Sequence, residues 1–223
     1  IIRKENKKLE FRFKKFSYCA NIQEHDLVIL AARPGIGKTA FALNLLDNLS
    51  DKYNCIYFNM EMSEQQIYRR LVSLNSKIEI KYLENPATNF QDEKLKEKCN
   101  ELSRKKFKVI TGSQTIKTIR SQIIKESINS HSIVFIDYVG LIKGIQPGQS
   151  IYERVTEITK ELRQIALDHD CTIFLIAQIN RNSDKTKDKR PLISDLKESG
   201  ELEQSGTAVL MLHNDNVFGD NKK

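Results

Sequence analysis

Ala32 to Thr39 reads ARPGIGKT, two glycines on either side of an isoleucine, then lysine and threonine. Gly35 and Gly37 allow the backbone to curl so that its N–H groups point inward at an anion. A helix opening at Lys38 presents its positive end to the same place. Lys38 can reach the outer phosphates of a nucleotide, and Thr39 can ligate Mg2+. This is the P-loop pattern, with Ala32 where the first glycine usually stands. The candidate cradle is therefore Ala32, Arg33, Pro34, Gly35, Ile36, Gly37, Lys38, Thr39 and Ala40, and the chemistry it points to is ATP–Mg2+ binding.

Three further polar residues each close an apolar run. Glu61 follows NCIYFNM; a carboxylate there can orient a water at a terminal phosphate, or simply favour the start of the next helix. Asp137 ends SIVFID, the Walker-B pattern that supports a Mg2+ shell. Gln178 ends CTIFLIAQ; its amide can sense the terminal phosphate, or cap the strand. Lone acids and amides after apolar runs are common. The P-loop gives these three their meaning.

The elements that must position these residues can be read from periodicity. DLVILAA, NCIYFNM, FKVIT, SIVFID, CTIFLIAQ and TAVLML are six short apolar runs, as strands buried on both faces require. Between them lie stretches with helical spacing. Phe41, Leu45 and Leu49 recur every four residues, and Ile116, Ile119, Ile123 and Ile124 share a face. SEQQIYRRLVSLNS is a helix with Ser63 as N-cap and Gln66 completing a capping box. Residues 78–103 read as mostly helical, broken at NPATN, and 151–170 read as one long amphipathic helix. Strands alternating with helices predict an α/β fold, a mostly parallel twisted sheet with helices on both faces. In such sheets ligands sit beyond the carboxyl ends of the strands, where the candidate residues fall.

The chain has 223 residues, 29% of them charged, and a formal net charge of +7. That suits one large domain with a basic surface able to meet a polyanion. The four cysteines, Cys19, Cys55, Cys99 and Cys171, form no CxxC pair and no His cluster accompanies them in the sequence, so neither a structural zinc site nor a disulfide framework is expected. No apolar run has membrane-spanning length, and no signal peptide is visible, so a cytoplasmic protein without membrane contact is expected. Residues 1–25 read as a basic arm or linker remnant and 26–223 as the ATPase domain. The first residue is Ile, from which a longer parent is expected.

The order of P-loop, Glu61, Asp137 and Gln178 resembles the RecA-like core. The blocks ILAARPGIGKTAFALN, NMEMSEQQIYRRL, IVFIDYVGLI and AQINRNSDKTKDKRPLISDLKESGELEQ resemble more narrowly the C-terminal ATPase domain of DnaB-type replicative DNA helicases. The resemblance spans about residues 26–215 and implies a RecA-like P-loop NTPase that hydrolyses ATP between ring subunits. It makes Lys38, Glu61 and Gln178 the catalytic set, Thr39 and Asp137 the metal ligands, and Arg70 a nucleotide-proximal cation. It puts the grip on single-stranded DNA at Lys197, Glu198 and Gly200, with Arg181 and Arg190 adding charge beside Lys185, Lys187 and Lys189. It implies a homo-hexamer, with a primase and a helicase loader as partners. The family's N-terminal helical domain and its last strands, which carry a Lys-x-Arg pair acting on a neighbour's nucleotide, are not in this chain, and no arginine finger is placed here. Two other readings stay open: a RecA-like ATPase that binds DNA without unwinding it, and a nucleotide-gated DNA-binding module.

Overall fold

The computed structural model describes residues 7–84, 93–143, 148–179, 190–196 and 200–215. Six strands form one all-parallel sheet: β1 Leu27–Ala32, β2 Asn54–Asn59, β3 Phe107–Thr111, β4 Ser132–Asp137, β5 Cys171–Gln178 and β6 Ala208–Leu212. Their order across the sheet is β3-β2-β4-β5-β1-β6. The central strands β1 and β4 are buried at every position, which is why their sequences are apolar without alternation. The edge strands β3 and β6 are only half covered, and β3 exposes Lys108.

Helices cover both faces. One core layer packs α6 (Ile116–Glu126), α7 (Ile151–Asp168) and α8 (Gly200–Ser205) against the sheet. The other packs α2 (Lys38–Leu49), α3 (Glu64–Ser76) and α5 (Glu93–Ser103). Short helices α1 (Lys14–Ala20) and α4 (Ile80–Leu83) contribute no fully buried side chain. The first segment nonetheless belongs to the second layer. Leu9, Phe11 and Ile22 are buried there, and Phe11 meets Phe174 edge-on at 6.4 Å between ring centres. Leu9, Phe11 and Ile22 lie in the irregular chain on either side of α1, which can cover a sheet face without a helical or strand period.

Local signals match local structure. Ser63 Oγ accepts from the Gln66 N–H at 3.3 Å, and the Ser63 N–H donates to Gln66 Oε1 at 2.9 Å. The same reciprocal bond between Ser150 and Glu153 starts α7. On α6, Ile116, Ile119 and Ile123 are buried, but Ile124 lies at the edge of the stripe and is exposed. Cys55 and Cys171 are buried, as small apolar residues would be, and Cys19 is exposed. Among the described residues no helix is long and apolar enough to cross a membrane.

Candidate nucleotide site

β1 delivers its chain to the P-loop at Ala32, and β5 sets Gln178 directly beside Ala32 in the sheet register. On the other side of β5, β4 ends at Asp137, which is paired in register with Asn59 at the end of β2. Neighbouring strand ends therefore line up Ala32, Gln178, Asp137 and Asn59 along one edge. The cradle itself needs its glycines. Gly35 and Gly37 have φ of +80° and +103°, a region that side chains with a Cβ rarely adopt. Gly37 is also the N-cap of α2, so the turn and the start of the helix are a single feature.

Lys38 folds back into the loop, its ammonium donating to the carbonyls of Ala32 at 3.2 Å and Arg33 at 3.5 Å. Arg33 is almost fully buried. Thr39 Oγ1 donates to Asp137 Oδ2 at 2.8 Å. Two more donors reach the same oxygen: Tyr57 through its phenol at 2.8 Å and Asn59 through its amide at 3.4 Å. Asp137 is itself 1% exposed, so these bonds replace the water that its charge would otherwise hold. Burial first, and then the adjacent Asp137 charge, push the Tyr57 phenol well above its ordinary pKa, so it stays a donor. The positive charge of Arg70, an exposed residue of α3, partly offsets that rise.

Asn59 also shapes the next loop. Its Oδ1 accepts the N–H groups of Glu61 at 3.0 Å and Met62 at 2.6 Å. Glu61 is thereby held at the end of β2 with an exposed side chain. Tyr57 and Asn59 were not among the residues singled out from sequence. The available signal is two polar side chains, two apart, in the second half of β2, which puts both on one face.

A hydroxyl and a carboxylate meeting beside a Gly-rich loop fit a Mg2+-nucleotide, because a hard cation takes oxygen ligands of this kind. Of the residues implicated in DNA contact, Arg190 is exposed, and Gly200 opens α8 with Tyr152 across from it. Leu196 and Leu202, on either side of residues 197–199, are both buried in the core. Arg181, Lys185, Lys187, Lys189, Lys197 and Glu198 lie outside the described residues.

Residues 11–223 match the family described as the DnaB-like helicase C terminal domain. The chain belongs to that family. It is 34% identical over 215 residues to a probable replicative DNA helicase of Trieres chinensis, covering 93% of this chain and 47% of that protein. It is 32% identical over 207 residues to the replicative DNA helicase DnaB of Helicobacter pylori (strain ATCC 700392 / 26695), covering 91% and 42%. Among solved structures, a DnaB-like replicative helicase described with its interactions with primase superimposes with a TM-score of 0.83 at 28% identity, over 90% of this chain and 50% of that one. A second solved structure, described as an ATPase domain, gives the same TM-score and identity, over 91% and 74%. The chain thus spans about half the length of the curated relatives it matches. The six-stranded parallel sheet with helices on both faces is the RecA-like α/β arrangement of these DnaB-type domains.

Proposed function

We propose that this DnaB-like domain is the motor of a replicative DNA helicase. It binds ATP between the subunits of a homo-hexameric ring and hydrolyses it. The resulting loop movements pull single-stranded DNA through the ring and separate the duplex. The observation that carries the reading is the Thr39–Asp137 contact beside the P-loop, whose first residue, Ala32, pairs in register with Gln178.

In this reading the backbone from Ala32 to Ala40, that is Ala32, Arg33, Pro34, Gly35, Ile36, Gly37, Lys38, Thr39 and Ala40, cradles the phosphates. Lys38 leaves its loop carbonyls to meet the outer phosphates, and Arg70 adds charge nearby. Thr39 and Asp137 hold Mg2+, with Tyr57 and Asn59 orienting the Asp137 carboxylate. Bound Mg2+ supplies positive charge to the phosphate oxygens. Glu61 takes the proton of the attacking water. Gln178 senses the terminal phosphate and passes its loss to the chain that follows β5. That chain carries the grip on DNA: Arg181, Arg190, Lys197, Glu198 and Gly200, acting on phosphates and therefore blind to sequence. The segment before residue 26 packs onto the ATPase domain of 26–223 through Leu9, Phe11 and Ile22. A primase and a loader are the expected protein partners, in the cytoplasm.

Glu61→Gln tests the chemistry. The variant is expected to keep its affinity for ATP and lose phosphate release by about 10²–10⁴-fold, the usual worth of a general base. Unchanged turnover would remove Glu61 from the reaction. If the parent protein itself released no phosphate, ATP would be a conformational ligand only.

A further inference from the structure

The amino-terminal edge of the sheet, opposite the nucleotide site, gathers a second set of chemically active residues. His25 precedes β1, His131 precedes β4 and Asp170 precedes β5. Because β5 lies between β4 and β1, these three stand side by side. Asp170 Oδ1 is 2.5 Å from His131 Nδ1 and 3.7 Å from His25 Nε2, so one carboxylate oxygen lies between two imidazoles. Glu24, His25 and His131 each bring a ligating atom to within 4.8 Å of one another.

The outer nitrogens of both rings are engaged. His25 Nδ1 lies 3.1 Å from the Ala166 carbonyl, which only accepts, so Nδ1 carries the hydrogen and Nε2 the lone pair. His131 Nε2 lies 2.9 Å from Thr172 Oγ1, whose hydroxyl reaches the Gln23 carbonyl at 3.3 Å. Without an ion the Nδ1 hydrogen of His131 goes to Asp170 and Nε2 accepts from Thr172; with an ion on Nδ1, the Nε2 hydrogen is donated to Thr172, whose hydroxyl turns to Gln23. Histidines that ligate metals are held this way, the far N–H donated to a carbonyl, hydroxyl or carboxylate. Arg163 Nη1 donates to the His25 carbonyl at 2.9 Å and helps hold the left-handed backbone of His25, φ +67°. Tyr53 meets the His131 ring at a steep angle, 6.0 Å between ring centres.

We propose that Glu24, His25, His131 and Asp170 form a site for a divalent transition-metal ion of the Zn2+ class, which clasps the starts of β1, β4 and β5. Two imidazoles and two carboxylates suit such an ion. Metal–ligand bonds of about 2.0–2.2 Å set neighbouring ligand atoms roughly 3.4 Å apart. The His25–Asp170 separation of 3.7 Å is already close to that spacing. The His131–Asp170 contact is a hydrogen bond, and the ion takes the place of its proton by parting the two atoms by under about 1 Å. The clasp is independent of the nucleotide reading, since it lies at the other end of the strands.

The test uses Zn2+ alone and Co2+ alone on protein carrying Cys19→Ser and Cys99→Ser, which removes the two thiols that are not fully buried. One Zn2+ per chain is expected by calorimetry. Co2+ should give the visible absorption of a low-coordinate nitrogen–oxygen site, without a sulfur charge-transfer band. His25→Gln, a change at a partly exposed ring, should weaken binding at least tenfold. Thr172→Val, which touches no ligand other than through the outer bond to His131, should weaken it by about 10–100-fold through loss of that bond. Absence of stoichiometric binding, or binding unchanged in His25→Gln, would overturn the assignment.

Discussion

Thr39 and Asp137, 98 positions apart in the chain, share a 2.8 Å hydrogen bond at the junction of the P-loop and β4. Neither residue is informative alone. Together they put a hydroxyl and a buried carboxylate where a hard cation beside a nucleotide finds its ligands.

Asn59 makes this junction possible and should be costly to lose. It is fully buried, donates to Asp137 and accepts from the Glu61 and Met62 N–H groups. Asn59→Ala leaves those two donors without their acceptor, at a cost of about 1–3 kcal/mol. Urea unfolding should show that loss, and ATP turnover should fall with it because Glu61 loses its tether. Wild-type stability in this variant would mean that the loop is held by something else.

Asp47 and Arg12 form a contact whose two ends differ in weight. Asp47 is buried in α2 and meets Lys105 at 3.0 Å, Arg12 at 3.2 Å and Asn75 at 3.0 Å. The Lys105 side chain is 12% exposed and that of Arg12 is 56% exposed. Asp47→Ala takes the buried acceptor from Lys105 and Asn75, leaving Lys105 with Asp51 at 2.9 Å and the residue-47 carbonyl at 2.6 Å, and should cost about 1–3 kcal/mol. Arg12→Ala gives up a solvent-screened pair and should cost about 0–1 kcal/mol. Equal costs in chemical denaturation would contradict this ranking.

The cysteines give a pH signature. Burial pushes the Cys171 thiol up to about 12 and raises that of Cys55 further. In the unfolded chain both ionise near about pH 8.5. The folded protein therefore holds more protons in alkali. The stability this gives is complete below the unfolded value and is lost as pH rises towards the folded one. Urea midpoints should fall steadily from about pH 8 to about pH 11. A thiol reagent at neutral pH should label Cys19 at once and reach Cys55 and Cys171 only on unfolding. A flat alkaline profile, or rapid labelling of Cys171 in native protein, would show these thiols to be accessible.

The sequence displays those parts of the molecule that depend on neighbours in the chain. β1, β4 and β5 are legible because burial on both faces demands unbroken apolar runs, and Gly35 and Gly37 are legible because their backbone angles demand glycine. The capping box at Ser63 is legible for the same local reason. Tyr57 and Asn59 are hidden because their role requires β2 beside β4, and strand order is not written in chain order. The cluster of His25, His131 and Asp170 is hidden likewise, being assembled from the starts of three strands. Leu9, Phe11 and Ile22 are buried without periodicity, so no pattern could announce them.

Lys38→Ala tests the central claim most directly, in ATP-driven displacement of a strand from a forked DNA duplex by the intact protein. The account predicts that displacement and ATP turnover are both lost, while melting temperature without nucleotide stays close to wild type. Normal ATP-dependent displacement by that variant would contradict the account.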